Sequence, residues 1–153
     1  MSVPRIIEKV PLKTKLILKS TIPEKSELMC ARFGFEDSLV AAGYSDGHIR
    51  IINMNTDNKI CQIDTNPSKK EVTPVNCLRW RPANEDMGSI SSVILAANTN
   101  GNLFQYVAKT GKELYHSSEE GNFILALDYA PNGKTFCTGG KDNILRVYDE
   151  ETK

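Results

Sequence analysis

Short apolar runs separated by polar turns fill most of this chain, and a helical period is hard to find. Three segments, residues 39–53, 93–107 and 135–149, align with one another without gaps. Each reads as an apolar strand, a polar turn and a second strand. The turns are Asp46-Gly47, Asn100-Gly101 and Asp142-Asn143, pairs that tolerate positive φ and signal a hairpin. Upstream of each hairpin a further strand ends in an aromatic: 30–33 in Phe33, 77–80 in Trp80 and 126–129 in Tyr129. Turns follow these strands, the clearest being Pro131-Asn132-Gly133, where proline presets φ and glycine supplies positive φ.

The spacing supports a repeat. Asp46 and Asn100 are 54 positions apart and Asn100 and Asp142 are 42 apart, and the difference falls in loops. Loop-confined insertions are expected of a repeated structural unit. An outer strand follows the first two hairpins, at 59–64 and 112–116, and the third unit stops before its own. One more strand is expected at 15–22. The strands total about twelve, and the fold class is all-β.

Four short strands per unit of this length is the arithmetic of a propeller blade. Residues 74–82 and 138–149 resemble the strands of the WD-repeat β-propeller family, and the resemblance runs over about residues 26–153. It implies three four-stranded antiparallel blades of a partial propeller. An N-terminal segment with a closing strand takes residues 1–25, blade 1 takes 26–66, blade 2 takes 67–117, and blade 3, lacking its outer strand, takes 118–153. The family's Trp-Asp dipeptide is replaced by Ile52-Asn53, Tyr106-Val107 and Tyr148-Asp149, and its Gly-His dipeptide is absent from all three units. The buried His–Asp–Ser/Thr–Trp network that the family uses is therefore incomplete, and the turn polar groups need other partners.

Three blades do not close a ring that typically needs about 4–8. An open arc exposes apolar blade faces, which soluble monomers rarely do. Three closures fit: a longer propeller of which this is the N-terminal part, two copies joined head to tail with each N-terminal strand completing the partner's third blade, or blades supplied by another protein.

The chain has 153 residues, with 40% hydrophobic and 25% charged. That is a globular composition. Lys plus Arg and Asp plus Glu are both 19, so the formal charge is zero and nucleic-acid binding is disfavoured. No apolar run in the N-terminal sequence matches a membrane span, and a cytoplasmic location is expected, with nuclear or ciliary ones open. Cys30, Cys61, Cys77 and Cys137 form no CxxC pair and no metal spacing with His48 or His116, so free packing thiols are expected, with no metal and no cofactor. His48 and His116 are read as solvated. Glu119-Glu120 and the acidic residues from Asp149 onward are read as solvated loops. The basic stretch from Arg5 to Lys25 is read as guarding an edge strand rather than holding a charged partner.

No nucleophile elbow, triad or phosphate loop is present in the sequence: the glycine required before Gly133-Lys134-Thr135 is Asp128. No catalytic residue is assigned, and the chain is not expected to be an enzyme. The resemblance implies a protein-interaction scaffold or adaptor, or else a building block of a large assembly, such as a ciliary or cytoskeletal complex, whose neighbours complete the propeller. It puts partner contacts on the hairpin turns and on the loops entering each inner strand. By position these are Ser45, Thr99 and Lys141 on the turns, and Glu27, Pro74 and Phe123 at the entries. Phe123 is singled out, because an aromatic stands where its equivalents are Glu and Pro. The inserted loop at 83–92 is a second possible contact on the opposite face.

Overall fold

The computed structural model describes residues 15–34, 37–66, 71–83 and 92–150. Among them are eleven β-strands and no helix. Blade 1 is a four-stranded antiparallel sheet of β1 (Leu28–Phe33), β2 (Leu39–Tyr44), β3 (His48–Asn53) and β4 (Asn58–Asp64) in that order. Blade 2 repeats it with β5 (Val75–Trp80), β6 (Val93–Asn98), β7 (Asn102–Val107) and β8 (Lys112–Ser118). Blade 3 has β9 (Ile124–Tyr129), β10 (Thr135–Gly140) and β11 (Leu145–Asp149). The hairpin turns carry positive φ at Gly47, Gly101 and Asn143, as their sequences demand.

Blades pack face to face, with the inner strands β1, β5 and β9 side by side. Between blades 1 and 2 lies a core of Leu39, Ala41, Ile49, Ile51, Val75, Leu78 and Trp80 with Phe104 and Tyr106. Between blades 2 and 3 lie Cys77, Leu95, Leu103, Leu127, Tyr129 and Phe136. The middle blade is covered on both faces, so every residue of β6 is buried and its sequence does not alternate. Small residues let the sheets approach. A Cβ on Gly43 would sit 2.8 Å from the Val75 carbonyl oxygen of the next blade. Trp80 fixes the same junction by donating its indole N–H to the Arg32 carbonyl at 2.9 Å.

The strand expected at residues 15–22 is absent. Residues 15–24 have no strand pairing; Leu16, Ile17 and Leu18 point into water, and Ile22 packs beside Ala42, Tyr44 and Ile52 on the outer face of blade 1. A strand needs a neighbouring edge, and this segment has none. There is accordingly no edge strand for the basic residues to guard; Lys15, Lys19 and Lys25 are simply exposed, and Arg5, Lys9 and Lys13 lie outside the described residues. Most of the inserted loop 83–92 also lies outside them.

The four cysteines are free. Cys30 and Cys77 donate to the carbonyls of Val75 and Ile124 on the next inner strand. Burial, with Cys77 nearby, pushes the Cys30 thiol up to about 11, which makes it a packing group rather than a nucleophile.

Candidate functional site

At one end of each blade the hairpin turn is tied by a backbone bond to the segment entering the inner strand. Ser45 donates its amide to the Glu27 carbonyl at 2.9 Å, Thr99 to Pro74 at 3.1 Å, and Lys141 to Phe123 at 3.1 Å. The six residues selected from the sequence thus meet as three equivalent pairs, one per blade. Ser45 reinforces the first pair by accepting the Glu27 amide on its hydroxyl at 3.2 Å.

Behind the pairs, short polar side chains build the turns. Asp46 accepts the His48 amide at 3.0 Å, and Asp142 accepts the Ile144 amide at 3.1 Å. In blade 2 this role falls to Asn98, at the end of β6, and not to Asn100. Its side-chain oxygen accepts the amides of Asn100 and Asn102, both at 3.1 Å, while its amide group donates to Thr73 at 2.9 Å. His48 is half-buried against Asp46 rather than solvated, and His116, though exposed, stacks on Phe104 with centroids 4.7 Å apart.

The incomplete family network is replaced by ion triads in the outer blades. In blade 1, Arg50 lies 2.7 Å from Asp46 and 3.5 Å from Glu24. In blade 3, Arg146 lies 2.6 Å from Asp142 and 3.4 Å from Glu119. Turn aspartate and strand arginine occupy matching positions in the two blades, and a glutamate from the segment before the inner strand joins each pair. Burial raises the Asp46 carboxyl, but hydrogen bonds from Arg50, Ser26 and the His48 amide outweigh that and hold it well below the usual carboxylate range.

Two acidic residues read as solvated are buried instead. Glu119 accepts the hydroxyls of Thr138 and Tyr148 and the side-chain amide of Asn122. Glu150 accepts the Tyr129 hydroxyl at 2.8 Å and a bond from Gln105, and lies 3.6 Å from Arg81. Buried carboxylates need such partners, and those partners come from strands distant in sequence. Glu120 and Asp149, by contrast, are exposed.

In front of this frame, between blades 2 and 3, opens a cleft of about 540 Å³. Thr99, Phe123 and Lys141 line it, joined by Asn100, Glu120 and Asn122. Glu27, Ser45 and Pro74 form the corresponding rim farther along and do not enter the cleft. Asn122 could not be found from its sequence neighbours: it is buried, donates to Glu119 at 2.6 Å, and its oxygen faces the Asp142 amide at 3.4 Å. Lys141 lays its ammonium over the Phe123 ring, 4.5 Å from the centroid, and is otherwise exposed. The cleft thus offers an aromatic face, a cation, an exposed carboxylate on Glu120 and small polar groups. No group of three or more His, Cys, Asp or Glu side chains arranged to hold a metal occurs among the described residues.

The fold is a series of antiparallel blades stacked face to face, the class of partial β-propellers. Two family models match it: the anaphase-promoting complex subunit 4 WD40 domain over residues 12–83, and the WD domain, G-beta repeat, over residues 111–149. The chain belongs to the WD-repeat family. It is similar to the antiviral protein SKI8 of Saccharomyces cerevisiae, at 22% identity over 77% of this chain and 32% of that one. A chain of the mitotic checkpoint complex superposes with a TM-score of 0.69 at 14% identity, over 85% of this chain and 36% of its own length. The chain therefore spans about a third of the length of each.

Proposed function

We propose that the chain is a non-catalytic scaffold that holds a protein partner on the rim formed by Glu27, Ser45, Pro74, Thr99, Phe123 and Lys141. WD-repeat proteins generally mediate protein–protein interaction, and the similar fold in the mitotic checkpoint complex belongs to a multi-protein assembly. The observation that carries the reading is the cleft between blades 2 and 3. Its walls are fixed by backbone bonds and a buried polar frame, while the exposed Lys141 lays its ammonium over the half-buried Phe123 ring in the cleft lining. Aromatic side chains are enriched at protein interfaces, and a preorganised one loses little freedom on binding. A cytoplasmic location accompanies this reading, since four free thiols suit a reducing compartment.

The test is affinity capture from the source cell, followed by titration of the recovered protein against wild type and a Phe123→Ala, Lys141→Ala double variant. A loss of at least about tenfold in affinity is expected, with the fold retained by circular dichroism. Equal affinity of the two proteins removes the assignment.

A further inference from the structure

The chain holds two Asn-Gly pairs, Asn100-Gly101 and Asn132-Gly133. The dipeptide makes good turns and is also chemically labile. Glycine has no Cβ to shield its amide nitrogen from the asparagine side chain before it. A folded chain restrains the reaction by holding both groups in place, so what matters is how firmly each pair is held.

In blades 1 and 3 the side chain of the turn acid has a structural task. Asp46 accepts the His48 amide and Asp142 accepts the Ile144 amide. Asn100 stands at the equivalent position in blade 2, but Asn98 has taken the task over: its side-chain oxygen accepts the amides of Asn100 and Asn102. The Asn100 carboxamide is thereby released. It is exposed and makes no hydrogen bond among the described residues. Asn132 is held, because its side-chain oxygen accepts the Lys134 amide at 3.0 Å. The glycine amides differ in the same sense. Gly101 donates to the Asn98 carbonyl at 3.2 Å, and Gly133 donates to the Ala130 carbonyl at 2.9 Å. Both groups that must meet are the looser ones at Asn100-Gly101.

We propose that Asn100 is a site of spontaneous deamidation, which places a carboxylate in the cleft that Phe123 and Lys141 line. Transient opening of the turn frees the Gly101 nitrogen. That nitrogen gives its proton to solvent base and attacks the side-chain carbonyl carbon of Asn100. The new C–N bond closes a succinimide ring, and the side-chain nitrogen takes up a proton and leaves as ammonia. Water then opens the ring at either carbonyl, to aspartate or to isoaspartate. The net change is amide plus water to acid plus ammonia.

The two products act differently on the rim. Aspartate restores the acid that blades 1 and 3 carry, and sets a negative charge in the cleft whose lining cation is Lys141. Isoaspartate also lengthens the main chain by a methylene next to Thr99. The Thr99 amide holds the blade 2 rim pair, 3.1 Å from the Pro74 carbonyl, and the longer chain loosens it. The effect on a bound partner rests on the scaffold reading, whereas the reaction itself does not.

Ageing the purified chain at mildly alkaline pH tests the proposal. Trypsin then separates the two pairs into peptides 80–109 and 113–134. Each is followed by its gain in mass from amide to acid, and isoaspartate is read by methyl transfer from a protein isoaspartate methyltransferase. In the folded chain peptide 80–109 should convert about fivefold faster than 113–134, the ratio of open populations that a single hydrogen bond sets. In urea, where neither turn is held, the two rates should converge. Asn100→Gln should remove the signal from peptide 80–109 of the folded chain, because glutamine must close a larger ring and does so far more slowly. That variant changes only an exposed side chain, and circular dichroism reports its fold. Equal rates in the folded chain, or faster conversion of 113–134, overturn the proposal. So does a folded chain that stays intact while the unfolded one converts, and so does methylation of 80–109 that survives Asn100→Gln. None of these readings involves a partner, so the scaffold reading can fail without altering them.

Discussion

Lys141 donates its amide to the Phe123 carbonyl at 3.1 Å and lays its ammonium 4.5 Å from the centre of the Phe123 ring. Two residues far apart in sequence are thereby locked into one surface element. The backbone bond recurs in every blade, but only blade 3 supplies an aromatic and a cation to it. The contact should contribute roughly 0.5–1 kcal/mol at such an exposed site. Phe123→Leu is expected to lower stability by no more than about that amount in urea titrations while removing the ring from the cleft. A larger loss would mark Phe123 as a packing residue and not a presented one.

The Asp46–Arg50 pair predicts an acid sensitivity. The Asp46 carboxyl is held low in the folded chain, so it favours folding above its unfolded value near pH 4 and loses that contribution as pH falls. Urea midpoints of wild type should drop between about pH 5 and pH 2. Asp46→Asn should flatten that drop and cost about 2 kcal/mol at neutral pH, since Arg50 is left buried with a weaker partner.

Glu119 should control the ionisation of Tyr148. Burial, with the hydrogen bond and charge of Glu119, raises the Tyr148 hydroxyl to about 12. Because this value lies above the unfolded one, the contribution to folding is complete below about pH 10 and fades as pH climbs toward 12. Glu119→Gln should bring the tyrosine titration, followed by ultraviolet absorbance, to lower pH. The same change should destabilise the chain by about 2–3 kcal/mol, because Arg146 and Thr138 lose a charged acceptor.

Gly43→Ala tests the closeness of blades 1 and 2. The added methyl would lie 2.8 Å from the Val75 oxygen and 2.9 Å from the Cys30 sulfur. The sheets must separate, at a cost of roughly 1–3 kcal/mol read from thermal melts. A melting temperature equal to wild type would show that the junction is looser than this geometry.

The repeat and the hairpins were legible in the chain because they rest on local chemistry. Asp46-Gly47 and Asn100-Gly101 specify turns on their own, and three copies of one pattern fix the register between them. Residues 15–22 show the limit of that logic. Their pattern is that of a strand, but strand formation depends on an edge to pair with, and sequence alone does not say whether one is near.

The same distinction separates the rest. The sequence by itself determined the all-β repeat and the WD-repeat resemblance from which the six rim positions were carried over, since turn propensity and apolar spacing act between near neighbours. Only the tertiary structure decided that Glu119 and Glu150 are buried, that Asn98 builds the blade 2 turn, that Asn122 backs the cleft, and that Leu145 and Val147 are bare. Burial and hydrogen-bond partnership are set by which blade lies opposite. That arrangement comes from packing between sheets, where residues tens of positions apart meet and where a carboxylate is stable only if such a meeting supplies its donors.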